Sequence, residues 1–306
     1  MAALGSAIAA AGCGESSSAS TPPGRQGDGP IRVLATTGMI GDVANRIAGD
    51  HAKVTTLMGP GVDPHLYKAS EGDVRSLESA DLILYNGLNL EGKMQDIFAR
   101  IARSRAVLAV ADAVPESRRR KPPEFRGHFD PHVWFDVSLW ALTIVPIARE
   151  LERLDPAHAE DYRRNAQTLE KELLDLDVEV EKRIAEIPAD HRVLVTAHDA
   201  FGYFGRRYGM EVVGLQGIST VTEAGLQDVE RLVDLIVSRK IKAIFVESSV
   251  SPRSIEAVSK ACGSRGHSVA IGGQLFSDAM GPAGTPEGTY PGMVRHNVKT
   301  IVEALR

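Results

Sequence analysis

Cysteine is scarce in this sequence, with Cys13 and Cys262 the only two among 306 residues. A soft zinc site built from thiolates is therefore excluded, because such sites draw on several cysteines. We expect Cys262 to be a small core or helix-end residue, since a lone thiol behaves mostly as a buried hydrophobe.

The sequence also has no long basic stripe and no long apolar run. Its net charge is −5, so nucleic acid is not an expected partner. The single cationic run, Arg118 to Lys121, is followed by two prolines and is interpreted as a solvated loop. No stretch of 18 or more apolar residues occurs, so we expect no membrane-spanning helix.

The first thirty residues differ from the rest of the chain. Residues 1–12 are small and apolar, Cys13 follows, and a segment rich in Gly, Ser, Thr and Pro extends to Pro30. This order is typical of the end of a secretory signal, and Ala10-Ala11-Gly12-Cys13 resembles a bacterial lipobox. We therefore expect a lipoprotein anchored to the membrane surface through Cys13, in the periplasm or on the outer face of the cell membrane. The alternative is a polar tail that happens to contain a cysteine. The absence of Lys or Arg before the apolar run favours this alternative, because secretory signals usually begin with a cationic segment.

From Ile31 onwards, short runs rich in β-branched residues alternate with amphipathic stretches. This alternation predicts parallel sheets covered by helices. The predicted strands are residues 31–36, 54–58, 81–85 and 106–110 in the first half, and 192–196, 211–215, 242–247 and 268–271 in the second. Between the halves, a stretch that begins at Asp155-Pro156 and is free of Gly predicts one helix of about 30 residues.

The predicted fold class is thus α/β, with two parallel-sheet lobes joined by one long rigid helix. The predicted division is a signal and tether at 1–30, an N-terminal lobe at 31–154, a linking helix at 155–188 and a C-terminal lobe at 189–306. Ligands of parallel α/β sheets bind beyond the carboxyl ends of the strands, so the residues that follow strands are the candidates for a site between the lobes.

Two Asp-Pro-His tripeptides stand out, Asp63-Pro64-His65 and Asp130-Pro131-His132. About 0.03 copies would be expected by chance from this composition. Both histidines come after predicted strands, and each proline restricts the backbone before the imidazole. The aspartate two residues earlier can bind nearby backbone groups or orient the ring. These features favour a binding site over two surface turns.

Two further candidate ligands follow strands of the second half, His198 after 192–196 and Asp278 in the Gly-rich loop after 268–271. Alone, each is no more than a capping histidine or a turn aspartate. Together with His65 and His132 they form a donor set of three imidazoles and one carboxylate, which suits Zn²⁺ and also Mn²⁺. Glu247, at another strand end, is expected to accept the second N–H of a metal-bound histidine.

The chain from Ile31 to Arg306 resembles the metal-binding solute receptors of ABC importers, the group with the TroA, ZnuA and PsaA types. The similarity rests on residues 61–67, 130–136, 196–201, 217–220, 247–249 and 272–278, and the stretch through 288–290 is most similar to the TroA type. The resemblance implies the periplasmic-binding-protein fold of metal receptors. It also implies a metal held between the lobes by His65, His132, His198 and Asp278.

The function implied by the resemblance is that of a monomeric receptor outside the cytoplasm, not an enzyme. It would carry zinc or manganese to the permease subunit of an ABC importer. His198 stands where manganese-type relatives commonly have Glu, which favours zinc. The long His-rich loop of dedicated zinc types is absent from residues 115–129, so manganese stays open; His128 is at most an auxiliary contact.

Two other classes of function remain open at this point. A zinc hydrolase would need Asp278 outside the coordination sphere and Glu247 as general base, whereas four protein ligands leave no position for an activated water. A surface protein active in cell adhesion would carry a structural metal. Such a protein should unfold without its metal, whereas a transport receptor should stay folded.

Overall fold

The computed structural model describes residues 29–125 and 127–306, so the expected anchor at Cys13 lies outside the described residues. The strands are Ile31–Ala35 (β1), Ala52–Thr56 (β2), Leu82–Tyr85 (β3), Ala106–Ala109 (β4), Val193–His198 (β5), Glu211–Gln216 (β6), Ala243–Glu247 (β7) and Ala270–Leu275 (β8). The α-helices are Gly38–Ala48 (α1), Glu71–Ser79 (α2), Gln95–Ile101 (α3), Val137–Trp140 (α4), Ile144–Leu154 (α5), Ala159–Ile184 (α6), Gly202–Tyr208 (α7), Leu226–Arg239 (α8), Arg253–Ser264 (α9) and Tyr290–Leu305 (α10). None of the helices in these ranges is long and apolar enough to cross a membrane.

All eight predicted strands are present, and all of their pairings are parallel. The first half forms one sheet with the order β2-β1-β3-β4. The second half forms two pairs, β5-β6 and β7-β8, and β5 lies beside β7 without a backbone ladder between them. The expected α/β class with parallel sheets and a long helix is therefore confirmed, and the second sheet is divided at its centre.

Strand β8 runs past the predicted end at Ile271 and includes Gly272 and Gly273. The two glycines were expected to belong to the Gly-rich loop after the strand. In the structure they let a helix approach the strand, because a Cβ on Gly272 would lie 2.8 Å from Ala304 of α10 and one on Gly273 would lie 2.6 Å from Thr300. The packing of α10 thus explains why this glycine pair stays within a strand.

Helix α6 contains 26 residues, where about 30 were expected, because Pro156–His158 forms a separate 3-10 turn before it. At 1.5 Å per residue the helix is about 39 Å long. It packs against α1, α5 and α10, so the C-terminal helix lies against elements of the first half.

The largest hydrophobic cluster runs from Ile31 to Leu305 through α6. Two smaller clusters lie entirely within one half each, at 34–101 and at 193–269, and the second of them contains the buried Cys262. Since the main core is shared, the lobe boundaries at 154 and 188 stay a prediction.

Two adjacent leucines of α6 test this packing. Leu173 is fully buried, whereas Leu174 is 47% exposed. Leu173→Ala is expected to lower the free energy of unfolding by about 2–5 kcal/mol, because it leaves a cavity in the shared core. Leu174→Ala should change it by less than about 0.5 kcal/mol. Urea unfolding of both variants in chelator measures the difference. Equal effects would contradict the conclusion that Leu173, and not Leu174, lies on the buried face of α6.

Candidate metal centre

The ends of the parallel strands bring four side chains together. His65 lies in the loop after β2, His132 in the segment after β4, His198 is the last residue of β5, and Asp278 follows β8. Their exposed fractions are 4%, 0%, 0% and 1%. One potential ligand atom from each lies within 4.8 Å of all the others. The structure therefore gathers the four residues that the sequence singled out in one buried cluster.

The three imidazoles turn their Nε2 atoms towards the Asp278 carboxylate. Nε2 of His132 is 3.4 Å from Oδ1, and the Nε2 atoms of His198 and His65 are 3.3 and 3.8 Å from Oδ2. The Nε2 atoms of His65 and His132 are 3.3 Å apart. Among the described residues, neither Asp278 oxygen has a hydrogen-bond partner of good geometry. A buried carboxylate in this state requires a cation, and three nitrogens with one carboxylate form a donor set that could hold a divalent ion.

Two outer carboxylates fix the orientation of two of the rings. Asp130 Oδ1 lies 2.8 Å from His132 Nδ1 and also accepts the His132 backbone N–H at 3.0 Å. Glu247 Oε2 lies 2.5 Å from His198 Nδ1, and its Oε1 accepts the His198 backbone N–H at 2.8 Å. The Asp130 hydrogen bond to His132 and the Glu247 ion pair with His198 leave Nε2 of each ring facing Asp278. Glu247 thus lies where an acceptor for a histidine N–H was expected.

The first Asp-Pro-His segment works differently from the second. Asp63 Oδ1 accepts the backbone N–H of His65 at 2.8 Å, and its Oδ2 accepts the Thr220 hydroxyl at 2.6 Å. Asp63 therefore shapes the turn that presents His65 and ties it to the segment after β6. Sequence reasoning gave Thr220 no role, although it lies in one of the segments that carry the family resemblance.

Two further residues around the centre were also missed. The Trp134 indole packs against the His132 ring at 5.2 Å, and its Nε1–H donates to the Ser277 carbonyl at 3.1 Å. Asn86 donates from Nδ2 to the Pro131 carbonyl at 3.0 Å. No local pattern marks the two hydrogen bonds, because the partners of each are distant in the sequence. They fix the backbone on either side of His132 and beside Asp278.

The expectation that Arg118 to Lys121 form a solvated loop is wrong for Arg119, whose side chain is 15% exposed and donates to the Val114 and Asp112 carbonyls, and for Arg120. The Arg120 side chain is only 22% exposed, and its guanidinium donates to Asp130 Oδ2. The cause is the buried Asp130 carboxylate, which attracts a cation from the loop. By contrast, His128 is exposed and belongs to no described cluster of metal-type ligands.

The three histidines differ in proton affinity. Burial lowers the pKa of His65 to about 3. Burial also opposes protonation of His132, but the carboxylates of Asp130 and Asp278 outweigh it and raise its pKa to about 9. The pKa of His198 is raised well above its ordinary value, since two neighbouring carboxylates overcome its burial. Burial works against ionised Asp278, yet His198 and His132 hold its pKa well below the usual range. Without a metal at neutral pH, the ionised Asp278 carboxylate therefore faces two imidazolium groups, His132 and His198.

The chain combines a parallel α/β fold with a buried centre of three histidines and one aspartate, to which both halves contribute. This combination is typical of metal-binding solute receptors. A model of the family described as zinc-uptake complex component A, periplasmic (ZnuA), matches residues 33–304. The chain belongs to this family, which confirms the resemblance noted in the sequence.

Named relatives agree with this assignment. The chain is 51% identical over 299 residues to the manganese-binding lipoprotein MntA of Bacillus subtilis, covering 98% of this chain and 96% of that one. It is also 51% identical over 278 residues to the zinc-binding protein TroA of Treponema pallidum, covering 91% and 90%. The solved structure of the periplasmic zinc-binding protein TroA from the same organism superposes with a TM-score of 0.89 at 50% identity, over 90% of this chain and 99% of that one.

The proton affinities predict that metal binding releases protons. At pH 7 the metal-free centre holds protons on His132 and His198, because both pKa values are raised, and none on His65. Binding of Zn²⁺ should therefore release about two protons, and affinity should fall continuously as the pH drops from about 9. Calorimetric titrations in buffers of different ionisation enthalpy count the protons. Release of none at pH 7 would contradict the assigned states.

Proposed function

We propose that this protein is an extracytoplasmic receptor that captures a divalent transition metal and delivers it to the permease of an ABC importer. The ligands in this proposal are His65, His132, His198 and Asp278. The observation that carries it is the convergence of three Nε2 atoms on a buried Asp278 carboxylate without hydrogen-bond partners of its own among the described residues. A site closed by four protein ligands suits capture of an ion.

Zinc is the favoured cargo. Three imidazole nitrogens and one carboxylate match the tetrahedral, nitrogen-rich coordination that zinc prefers. Manganese is the second candidate, because both oxygens of Asp278 are available to an ion and bidentate binding would supply the additional oxygen it prefers. Sequence identity does not separate them, since relatives named for zinc and for manganese are both 51% identical.

The remaining parts of the proposal concern location and partners. We propose a lipid anchor at Cys13, a tether to residue 30, and a monomeric receptor with lobes at 31–154 and 189–306 around the linking segment 155–188. Support comes from relatives whose names describe a manganese-binding lipoprotein and a periplasmic zinc-binding protein. The permease subunit of the importer is the partner that such a receptor requires.

Capture and release follow from the chain's own groups. The hydrated ion exchanges its waters for the three Nε2 atoms and the Asp278 carboxylate, while Asp130 and Glu247 keep two rings in position. Docking to the permease would shift the segments that carry the ligands, and the ion would leave as the shell opens.

The two alternatives receive less support. A hydrolase requires an open coordination position and a free base, whereas Glu247 is engaged by both the ring and the backbone of His198. An adhesion protein with a structural metal would unfold in chelator. We expect this protein to stay folded there, because the hydrophobic core that packs α6 with α1, α5 and α10 joins both halves of the chain.

Thermal unfolding of chelator-stripped protein with Zn²⁺ or Mn²⁺ tests the proposal. A ligand that binds only the native state adds RT ln(1 + [L]/Kd) to its stability, so the midpoint should rise clearly. His132→Ala should abolish the rise. The exposed His128, four residues earlier, provides the matched control, and His128→Ala should retain the full rise.

The larger of the two shifts ranks the metals in vitro. A folded, metal-free protein that responds to neither ion would sink the receptor proposal. Loss of folded structure on chelation alone would instead favour a structural metal.

A further inference from the structure

Arg120 contacts Asp130 on the side of the carboxylate that faces away from His132. The two oxygens of this fully buried carboxylate have separate partners, since Oδ1 contacts the ring and backbone N–H of His132 whereas Oδ2 accepts from the Arg120 guanidinium. The backbone reinforces the pair, because the Asp130 N–H donates to the Arg120 carbonyl at 2.9 Å. A continuous chain of contacts therefore runs from a surface loop to the Nδ1 atom of His132.

Helix α7 provides a shaped space for this guanidinium. A Cβ built on Gly202 would lie 1.4 Å from Arg120 Nη1, so a side chain there is incompatible with the observed position. The neighbouring Tyr203 ring faces the guanidinium at 5.8 Å. Its hydroxyl accepts the Arg120 N–H at 2.9 Å and donates to the Asp130 carbonyl at 3.0 Å. Arg120 is thus held by a segment of the other half of the chain.

We infer that Arg120 is a positioning residue for metal retention, which holds the Asp130 carboxylate in the plane where Oδ1 fixes the His132 ring. The inference rests on the proposed function, since it assigns a role towards the same metal. Without the guanidinium, Oδ2 loses its charged donor and the carboxylate is held through Oδ1 alone, so that it can rotate about its contacts with His132. The His132 ring then loses its fixed orientation, and the bound ion should leave faster.

The location of Arg120 gives this role a mechanical consequence. Because Gly202 and Tyr203 hold it from α7, a displacement of α7 relative to the Arg120–His132 segment would withdraw the guanidinium from Asp130. Retention of the metal would then depend on the position of α7 relative to the segment before His132, through one side chain that never contacts the ion.

The test measures the rate at which Zn²⁺ passes from the loaded full-length protein to an excess of chelator. Arg120→Met should raise this rate by about tenfold, the lower end of the effect of removing a partner of a metal ligand. Gly202→Ala should raise it similarly with Arg120 unchanged, because the new methyl group occupies the guanidinium position.

The double variant Arg120→Met/Gly202→Ala separates positioning from general destabilisation. If both changes act through one contact, the double variant releases zinc no faster than either single variant. In an Asp130→Asn background, Arg120→Met should have no further effect. If the fold-changes of the two substitutions instead multiply, in the double variant or in the Asp130→Asn background, the inference is overturned.

Arg206 supplies the matched control. It lies over the same Tyr203 ring at 5.0 Å, but its hydrogen bond goes to the Arg118 carbonyl. Arg206→Met should leave the release rate unchanged, and a change equal to that of Arg120→Met would overturn the inference. Failure of the wild-type protein to load zinc or manganese at all would overturn the proposed function instead. Normal loading with an unchanged rate in Arg120→Met would overturn only the role of Arg120.

Discussion

The charge of Asp278 is the constraint on which the rest of the metal centre depends. An ionised carboxylate with an exposed fraction of 1% is costly unless a cation lies beside it. Here the carboxylate faces three imidazole nitrogens and has no hydrogen-bond partner of its own among the described residues. The centre is therefore built to accept positive charge, either as protons on histidines or as a divalent ion.

The carboxylates of Asp130 and Glu247 add to the negative charge of the centre. Asp130 and Glu247 are also buried, so three carboxylates surround the three imidazoles. In the metal-free centre, the Arg120 guanidinium and the imidazolium forms of His132 and His198 offset these three negative charges. A divalent ion that displaces two protons leaves the total unchanged. Because the total charge would be the same with two protons or with one divalent ion, binding of an ion here would depend on pH through the displaced protons.

Much of this arrangement could be predicted from local sequence. The strands were evident as β-branched runs, and the candidate ligands at strand ends meet because parallel strands share one carboxyl edge. Proline before His65 and His132 marked both imidazoles. Other features depend on contacts that no local pattern encodes. The glycine pair in β8 was assigned to a loop because the residues that explain it, Thr300 and Ala304 of α10, lie more than twenty residues later in the chain. Arg120 was interpreted as solvated because Asp130 and the space at Gly202 become its partners only in the folded chain.

The contacts around the centre also bear on how an ion could leave. Asp63–Thr220, Trp134–Ser277 and Arg120–Tyr203 each join the first half of the chain to the second. Away from the centre, α6 and α10 bind the halves through a shared hydrophobic core. A wide opening would expose that core, whereas a small displacement at the strand ends needs to break only a few polar contacts. Hydrogen bonds can be exchanged for water at modest net cost, but buried apolar surface cannot. The halves are thus joined by apolar packing around α6 and α10 and by a few hydrogen bonds near the metal centre. This difference favours release by a local movement of the segments that carry the candidate ligands, with the two halves remaining packed together.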